Sequence, residues 1–162
     1  MSRTVLIVNP PSKDRGINRD MAGGLGYSAG EGVVLPPLDL LSIGATLRKD
    51  GWRVKFIDAL VGNFKYYECD VVIGSLALPT INEDIEFYRE IKNKYPRVQV
   101  IIKTGINYGQ ILKKILIGSR ADKIIFGEPD LNIVKILKSK AKIIDAGKIG
   151  KMDLLPIPAR DL

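Results

Sequence analysis

The chain has 162 residues, of which 46% are hydrophobic, and this length suits one domain with a substantial core. A single cysteine, Cys69, and the lack of histidine exclude a disulfide framework, a multi-cysteine metal or iron–sulfur site and histidine-based acid–base chemistry. The net charge of +7 comes from lysines spread over the predicted helices and loops, so we interpret it as a solvated surface and expect no nucleic-acid partner. No apolar run reaches the roughly eighteen residues of a membrane span, and we expect a cytoplasmic protein with no membrane partner.

The first predicted element is a buried central strand in residues 5–11 (VLIVNPP). Two consecutive prolines end this strand, since proline cannot donate to a strand ladder. The next helix begins only near Leu38, and the long connection between them carries five glycines: Gly23, Gly24, Gly26, Gly30 and Gly32. Because long connections in compact domains are often binding loops, we predict that this loop forms the rim of a ligand site.

Helices and strands then alternate along the chain. We predict helices over 37–50, 82–95 and 110–116 and from Pro129 onward, with Gly118 ending the third, and strands over 53–57, 70–74, 98–102 and 123–126. A short strand and a proline-punctuated tail complete residues 142–162. This alternation predicts an α/β fold with a doubly wound, flavodoxin-like or Rossmann-like parallel sheet of five strands and helices on both faces.

Ligands of such sheets bind beyond the carboxyl ends of the strands, where the strand order reverses. The candidate binding residues therefore follow the strands: Asn9, Pro10, Pro11, Ser75, Leu76, Ala77, Leu78, Thr104, Gly105, Ile106, Gly127, Glu128 and Pro129.

Several chemistries do not fit these strand ends. A phospho-receiver domain shares the architecture but needs acidic residues after the first strand and a phosphoacceptor carboxylate after the third, where this chain has Asn9-Pro10 and Gly74-Ser75. The glycines of residues 24–30 do not match the spacing of a dinucleotide-binding turn, and no P-loop motif is present.

No catalytic centre can be assembled from the sequence. Ser75 has no histidine to activate it, and Cys69, just before a buried strand, is interpreted as a small core or edge residue. Glu128 and Asp130 flank Pro129 at a predicted helix start, where carboxylates favour the helix dipole. We expect a binding scaffold with no catalytic residues.

Four segments together resemble the N-terminal cobalamin-binding domain of class B radical SAM enzymes. They are residues 5–11, residues 37–59 (PLDLLSIGATLRKDGWRVKFIDA), residues 121–130 (ADKIIFGEPD) and residues 154–162 (LLPIPARDL). The last segment resembles the linker that precedes the catalytic barrel in those enzymes.

The resemblance implies that the carboxyl edge of the sheet, with the candidate residues above, holds cobalamin, whose cobalt would make this a metal-binding module. Ser75 and Thr104 could contact the nucleotide tail, although turn chemistry explains them equally well. The resemblance further implies a cobalamin-binding domain over 1–147 and a linker over 148–162. The partner would be a radical SAM catalytic domain, which alone would hold S-adenosylmethionine and an iron–sulfur cluster.

Two motifs of such enzymes are absent. The chain has no D-x-H-x-x-G motif to supply a histidine ligand to cobalt, and no C-x-x-x-C-x-x-C motif for the cluster. Our leading hypothesis is therefore a cobalamin-binding module without a histidine ligand, as an excised domain or a stand-alone relic of a larger enzyme. The alternatives are a docking domain that has lost the cofactor and a flavin- or nucleotide-binding domain.

Overall fold

Residues 3–30 and 33–162 are described by the structure, which is a computed structural model. Gly32, one of the loop glycines, lies outside these residues. In chain order the elements are β1 Thr4–Asn9, β2 Ile17–Asn18, the helical turn α1 Met21–Gly24, β3 Tyr27–Ser28, α2 Leu38–Lys49, β4 Arg53–Asp58, β5 Val71–Leu76, α3 Ile81–Lys94, β6 Gln99–Thr104, α4 Gly109–Ser119, β7 Lys123–Phe126, α5 Ile133–Lys138, β8 Ile143–Asp145 and a 3₁₀ turn Met152–Leu154.

The main sheet has six strands in the order β4-β1-β5-β6-β7-β8, and every neighbouring pair is parallel. The predicted doubly wound α/β fold is thus confirmed, with one strand more than expected. The extra strand, β8, is only three residues long.

Alternating side chains of the central strands build two apolar layers, as expected for strands buried on both faces. Leu6 and Val8 of β1 pack in the layer beneath α3 and α4. Val5 and Ile7 point to the opposite face and pack in the layer beneath α2 and α5. This arrangement fixes the carboxyl ends of the strands at one edge.

Two helix boundaries differ from prediction. α4 continues through Gly118 because this glycine faces α3, where an added Cβ would lie 3.0 Å from Cγ2 of Ile85. The helix ends instead at Arg120, which takes the left-handed conformation at φ 56°. α5 begins at Ile133 and not at Pro129.

The long connection after β1 folds back over the sheet edge. β2 and β3 pair antiparallel within it, with Ile17 opposite Ser28 and Asn18 opposite Tyr27. Ile17 is buried, and its side chain packs in a small cluster with Leu60 and Ala77. The glycine-rich loop therefore lies against the strand ends that it was predicted to border.

The C-terminal tail lies across α2. The Ala159 amide donates to the Leu41 carbonyl at 3.2 Å, and Arg48 pairs with Asp161 at 2.7 Å. Within the described residues, no helix has the length and apolar character needed to cross a membrane.

Candidate functional site

The candidate residues occupy a common edge because the strands that carry them are parallel. In the strand register Asn9 of β1 lies opposite Asp58 of β4, Leu76 of β5 opposite Thr104 of β6, and Thr104 opposite Phe126 of β7. Ten of the thirteen predicted residues are buried or partly buried. The other three, Pro11, Leu78 and Glu128, are exposed. Most of this edge is therefore covered by other parts of the chain.

The crevice between β1 and β5 is the point where the strand order reverses, and the side chain of Arg19 fills it. Its guanidinium donates from Nη1 to Oδ1 of Asn9 at 3.1 Å and to the carbonyl of Pro10 at 2.9 Å. Two further bonds, of 2.7 Å from Nη2 and 3.2 Å from Nε, reach the carboxylate of Asp84. Both side chains of this ion pair are fully buried.

Asp84 ties this crevice to the first turn of α3. Its Oδ2 accepts hydrogen bonds from the Ala77 amide at 3.0 Å and from the Thr80 hydroxyl at 2.7 Å. A buried carboxylate that accepts this many donors satisfies its charge within the protein. Arg19 and Asp84 thus occupy the position where a ligand of this fold class would bind.

Sequence reasoning missed this pair. Arg19 lies in a polar loop and Asp84 in the first turn of a helix, where an isolated charge is usually solvated. The two residues are 65 positions apart in the sequence, and only the folded structure shows that they are in contact.

The backbone of the loop covers the neighbouring strand ends. The Gly105 amide donates to the Gly24 carbonyl at 2.8 Å, and the Leu78 amide donates to the Leu25 carbonyl at 2.7 Å. A Cβ on Gly26, which has φ of 89°, would collide with the Cβ of Ala77. These glycines allow the loop backbone to approach the strand ends closely. The loop carbonyls accept hydrogen bonds from the Leu78 and Gly105 amides, which are then not available to a ligand.

The two hydroxyls considered for ligand binding are inaccessible. Thr104 is 1% exposed, and its Oγ1 accepts a hydrogen bond from the Ile106 amide at 3.2 Å, which is a turn interaction. Ser75 is 2% exposed, and its Oγ has no partner among the described residues. The Ser75 carbonyl accepts the hydroxyl of buried Tyr88 at 2.7 Å, and burial raises the pKa of that phenol.

A second group of charges, which we call the acidic cluster, lies beyond β6 and β7 at the start of α2. It comprises Asp20, Asp39, Glu128 and Asp130. Lys103 forms an ion pair with Asp39. Burial raises the pKa of Asp20 and of Asp130, and the nearby Asp39 carboxylate raises both further. The charge of Lys103 lowers the pKa of both residues, so among the described residues this lysine partly balances the four carboxylates.

Cys69 is placed far from this edge, at the amino end of β5. Burial raises the pKa of its thiol, with a smaller opposing effect of the Tyr66 hydroxyl. A raised pKa lowers the thiolate fraction, so the position favours a structural role for Cys69 over a nucleophilic one. A cavity of about 690 Å³ lies beside it, lined in part by Tyr66 and Tyr95.

Comparison with solved structures finds the same fold in receiver domains. The BeF3-activated receiver domain of DrrB superposes with a TM-score of 0.52 at 16% identity, covering 85% of this chain and 97% of that one. The isolated REC domain of RcsB from Salmonella enterica serovar Typhimurium, with phosphomimetic BeF3−, gives 0.53 at 19% identity over 89% of this chain and 94% of that one. The RcsB response regulator of Salmonella typhimurium, described for DNA interaction, gives 0.51 at 19% identity over 83% and 57%. No protein-family model and no curated protein matches the chain.

At this level of identity the likeness establishes the fold alone, a parallel sheet flanked by helices that receiver domains also have. The sequence argument against a phospho-receiver concerned the acceptor residues, and those positions still hold Asn9, Pro10, Gly74 and Ser75. The predicted architecture, which the sequence analysis described as shared with receiver domains, is confirmed by the comparison.

The prediction of a cobalamin-binding module is wrong. The similar structures are receiver domains, and the crevice expected to hold the corrin contains Arg19, Asp84 and the loop backbone. The metal-binding prediction depended on corrin cobalt and is corrected with it. In the part of the chain that the structure describes, no group of three His, Cys, Asp or Glu side chains could hold a metal ion.

The associated predictions lose their basis for the same reason. The comparisons give no support to a radical SAM catalytic partner, nor to the S-adenosylmethionine and iron–sulfur cluster expected there. The docking and flavin or nucleotide alternatives are no better supported by these neighbours.

Proposed function

We propose that this chain is a receiver-like regulatory domain that acts without a phosphoacceptor at its strand ends. The observation that carries the proposal is the buried Arg19–Asp84 pair in the crevice between β1 and β5 of a receiver-type fold. With an internal ion pair in that crevice, the domain would be regulated by the binding of other molecules and not by phosphoryl transfer.

The residues at the strand ends support this proposal. β1 ends in Asn9 and β5 in Leu76, neither of which can accept a phosphoryl group as an aspartate does. Asp58 at the end of β4 is the nearest carboxylate that ends a strand beside β1. Its Oδ1 already accepts hydrogen bonds from Nδ2 of Asn9 at 2.9 Å and from the Leu60 amide at 3.1 Å.

The proposal is tested with phosphoryl donors and a phosphoryl mimic. The chain is incubated with Mg²⁺ and either acetyl phosphate or BeF3−, then followed by intact mass and by ¹H–¹⁵N NMR. We expect no phosphoryl adduct and no chemical-shift change at Asn9, Ala77 or Thr104. The DrrB receiver domain, which is solved in a BeF3-activated form, is the positive control.

A stoichiometric acyl phosphate would contradict the proposal. Asp58→Asn then identifies the acceptor, because loss of the adduct in this variant would assign it to Asp58. Gel filtration with added hydroxocobalamin tests the correction made above, and no retained cobalamin absorbance is expected while Arg19 fills the crevice.

The expected cytoplasmic location forms part of the proposal. A regulatory domain with one thiol, Cys69, suits a reducing compartment. Residues 148–162, which follow the sheet and cross α2, are the proposed connection between this domain and the part of a protein that it regulates.

A further inference from the structure

A cavity of about 290 Å³ lies between the start of α2, the turn after β7 and the C-terminal tail. Its walls are mainly apolar, and these residues form them: Leu38, Ile149, Met152, Leu155, Pro156 and Pro158. The polar residues at the cavity are Asp39, Ser42, Glu128 and Asp130, so three members of the acidic cluster meet an apolar surface here.

The carboxylates at this cavity outnumber the lysine beside them, Lys103, whose charge also lowers the pKa of Asp130 against the effect of burial. Lys103 pairs with Asp39. Asp20, which lies near Asp39, accepts a hydrogen bond from the Leu38 amide at its Oδ2, at 3.1 Å. Glu128 accepts the Ile149 amide at 2.5 Å. Asp130 is 7% exposed and has no ion-pair partner among the described residues. A buried carboxylate without an ion pair of its own is costly, and an added positive charge would reduce that cost.

A buried hydroxyl at the same cavity gives a second, independent indication of a ligand. Ser42 is 6% exposed, lines the cavity and has a hydroxyl without a hydrogen-bond partner in the described residues. This hydroxyl lies beside the Asp130 carboxylate and lowers the pKa of Asp130 against the larger effect of burial, although the two side chains do not meet in hydrogen-bond geometry. Buried hydroxyls are usually paired, so one left unpaired beside a cavity indicates a missing partner, and a hydroxyl oxygen can accept a hydrogen bond from a cationic donor.

The chemistry of the walls selects the kind of cation. A divalent metal ion needs several oxygens converging on one point, and no three His, Cys, Asp or Glu side chains of the described residues converge in that way. An alkylammonium ion provides three N–H donors at one end and an apolar chain at the other. The donors would match Asp130 and Ser42, and the chain would match Leu38, Met152 and the prolines.

We propose that the cavity bordered by Leu38, Ser42, Asp130 and Met152 binds an alkylammonium group, with the cation at Asp130 and the carbon chain along the apolar wall. This ligand site is separate from the crevice that Arg19 fills, and its failure would leave the proposed regulatory function untouched. The alkylammonium group comes either from a free amine or from a lysine side chain of another protein, and these two sources present the same chemistry.

The test titrates the full chain with n-hexylammonium and follows ¹H–¹⁵N chemical shifts at Leu38, Ser42 and Ile149. The uncharged n-hexanol, which has the same carbon chain, is the matched ligand. We expect saturable shifts with the amine and binding about tenfold weaker or more with the alcohol, because a hydrogen bond to a charged group is lost. A short peptide with a single central lysine distinguishes the two sources, since it binds only if the site accepts a lysine within a chain.

Variants locate the cation. Asp130→Asn is expected to weaken n-hexylammonium binding about tenfold or more. Glu90→Gln removes the same charge from the exposed surface of α3, on the other face of the sheet, and is expected to change binding less than about twofold. Ser42→Ala is a second test at the same cavity and is expected to weaken n-hexylammonium binding. It keeps the proposal testable if Asp130→Asn does not fold.

Three results would overturn the proposal. They are equal affinity for the amine and the alcohol, equal amine affinity in Asp130→Asn and the unaltered chain, and the absence of saturable shifts with both the amine and the peptide. Weakened binding in Ser42→Ala with an unchanged Glu90→Gln control supports it.

Discussion

At the scale of single residues, Arg19 decides what the strand-end crevice can hold. Its guanidinium donates to Asp84, Asn9 and the carbonyl groups of Pro10 and Pro11, with the longest of these bonds at 3.4 Å. The planar donors of arginine suit this set of acceptors, and a lysine in its place would satisfy fewer of them.

Replacing Arg19 is expected to be strongly destabilising. Arg19→Met leaves the Asp84 carboxylate buried without its cation, and breaking a buried pair in this way costs about 3–5 kcal/mol. Urea unfolding measures the loss, followed by the fluorescence of Trp52, the single tryptophan, which is buried in the layer beneath α2.

The surface pair Arg48–Asp161 provides the matched control. Its side chains are 44% and 69% exposed, so Arg48→Met is expected to lower the free energy of unfolding far less than Arg19→Met does. Similar losses in both variants would show that the Arg19 pair is not buried as described.

At the scale of elements, the closed loop depends on Gly105. A Cβ at this position would collide with the backbone of Gly23, Gly24 and Leu25. Because backbone atoms cannot move aside as a flexible side chain does, the loop would have to lift from the end of β6.

We therefore expect Gly105→Ala to open the loop. The predicted loss of stability is about 1–3 kcal/mol, the usual cost of overpacking. Hydrogen exchange should accelerate at the Leu78 amide, which donates to Leu25, and at the amide of residue 105, which donates to Gly24.

Gly109→Ala is the control for this variant. Position 109 begins α4, and no atom lies within 4 Å of an added Cβ there. Its stability should stay unchanged or rise by up to about 1 kcal/mol. Unchanged exchange at Leu78 in Gly105→Ala would contradict the described closure.

Much of the sheet was predictable from the sequence because strands buried on both faces carry continuous apolar runs. β7 was predicted with its observed bounds, and β1, β4, β5 and β6 were located within about two residues. β8 was not counted in the sheet, since three residues between Lys142 and Ala146 carry too short a pattern. Gly118 was interpreted as a helix stop, although it serves the contact between α3 and α4.

The candidate site was predictable in position and not in content. Parallel strands place their carboxyl ends together, so the edge follows from the order of elements. The contacts of Arg19 and of the Gly24 carbonyl depend on how the loop folds back, and loop residues carry no periodic signal from which to derive it. Motif resemblance then led to a cofactor for which the crevice has no room.

At the scale of the whole molecule, the acidic cluster makes stability depend on pH. The folded-state pKa values of Asp20 and Asp130 lie above the ordinary value of 3.8, so the folded chain binds more protons than the unfolded chain between these values. Each carboxyl therefore stabilises the fold fully below 3.8 and loses that contribution as pH rises through its raised native value.

The double variant Asp20→Asn and Asp130→Asn tests this dependence. Asparagine keeps an acceptor oxygen for the Leu38 amide and carries no charge. Without added amine, we expect this variant to be more stable than the unaltered chain at pH 7, with the difference disappearing as pH falls toward 3.8.

Urea unfolding at several pH values measures the difference, and Glu90→Gln again serves as control. A difference that is constant with pH would contradict the raised pKa values. A lower stability of the double variant at pH 7 would contradict the sign of the effect.

The shortness of β8 has a consequence for the behaviour of the chain in concentrated solution. An edge strand has unpaired amides and carbonyls that can hydrogen-bond to a strand of another molecule, and long, flat edge strands promote aggregation in this way. At this edge of the sheet the outer strand is β8, which has only the three residues Ile143–Asp145. The exposed lysines Lys140 and Lys142 come just before it. Such an edge gives neighbouring chains little to extend and repels them by charge, which favours a protein that stays dispersed at high concentration.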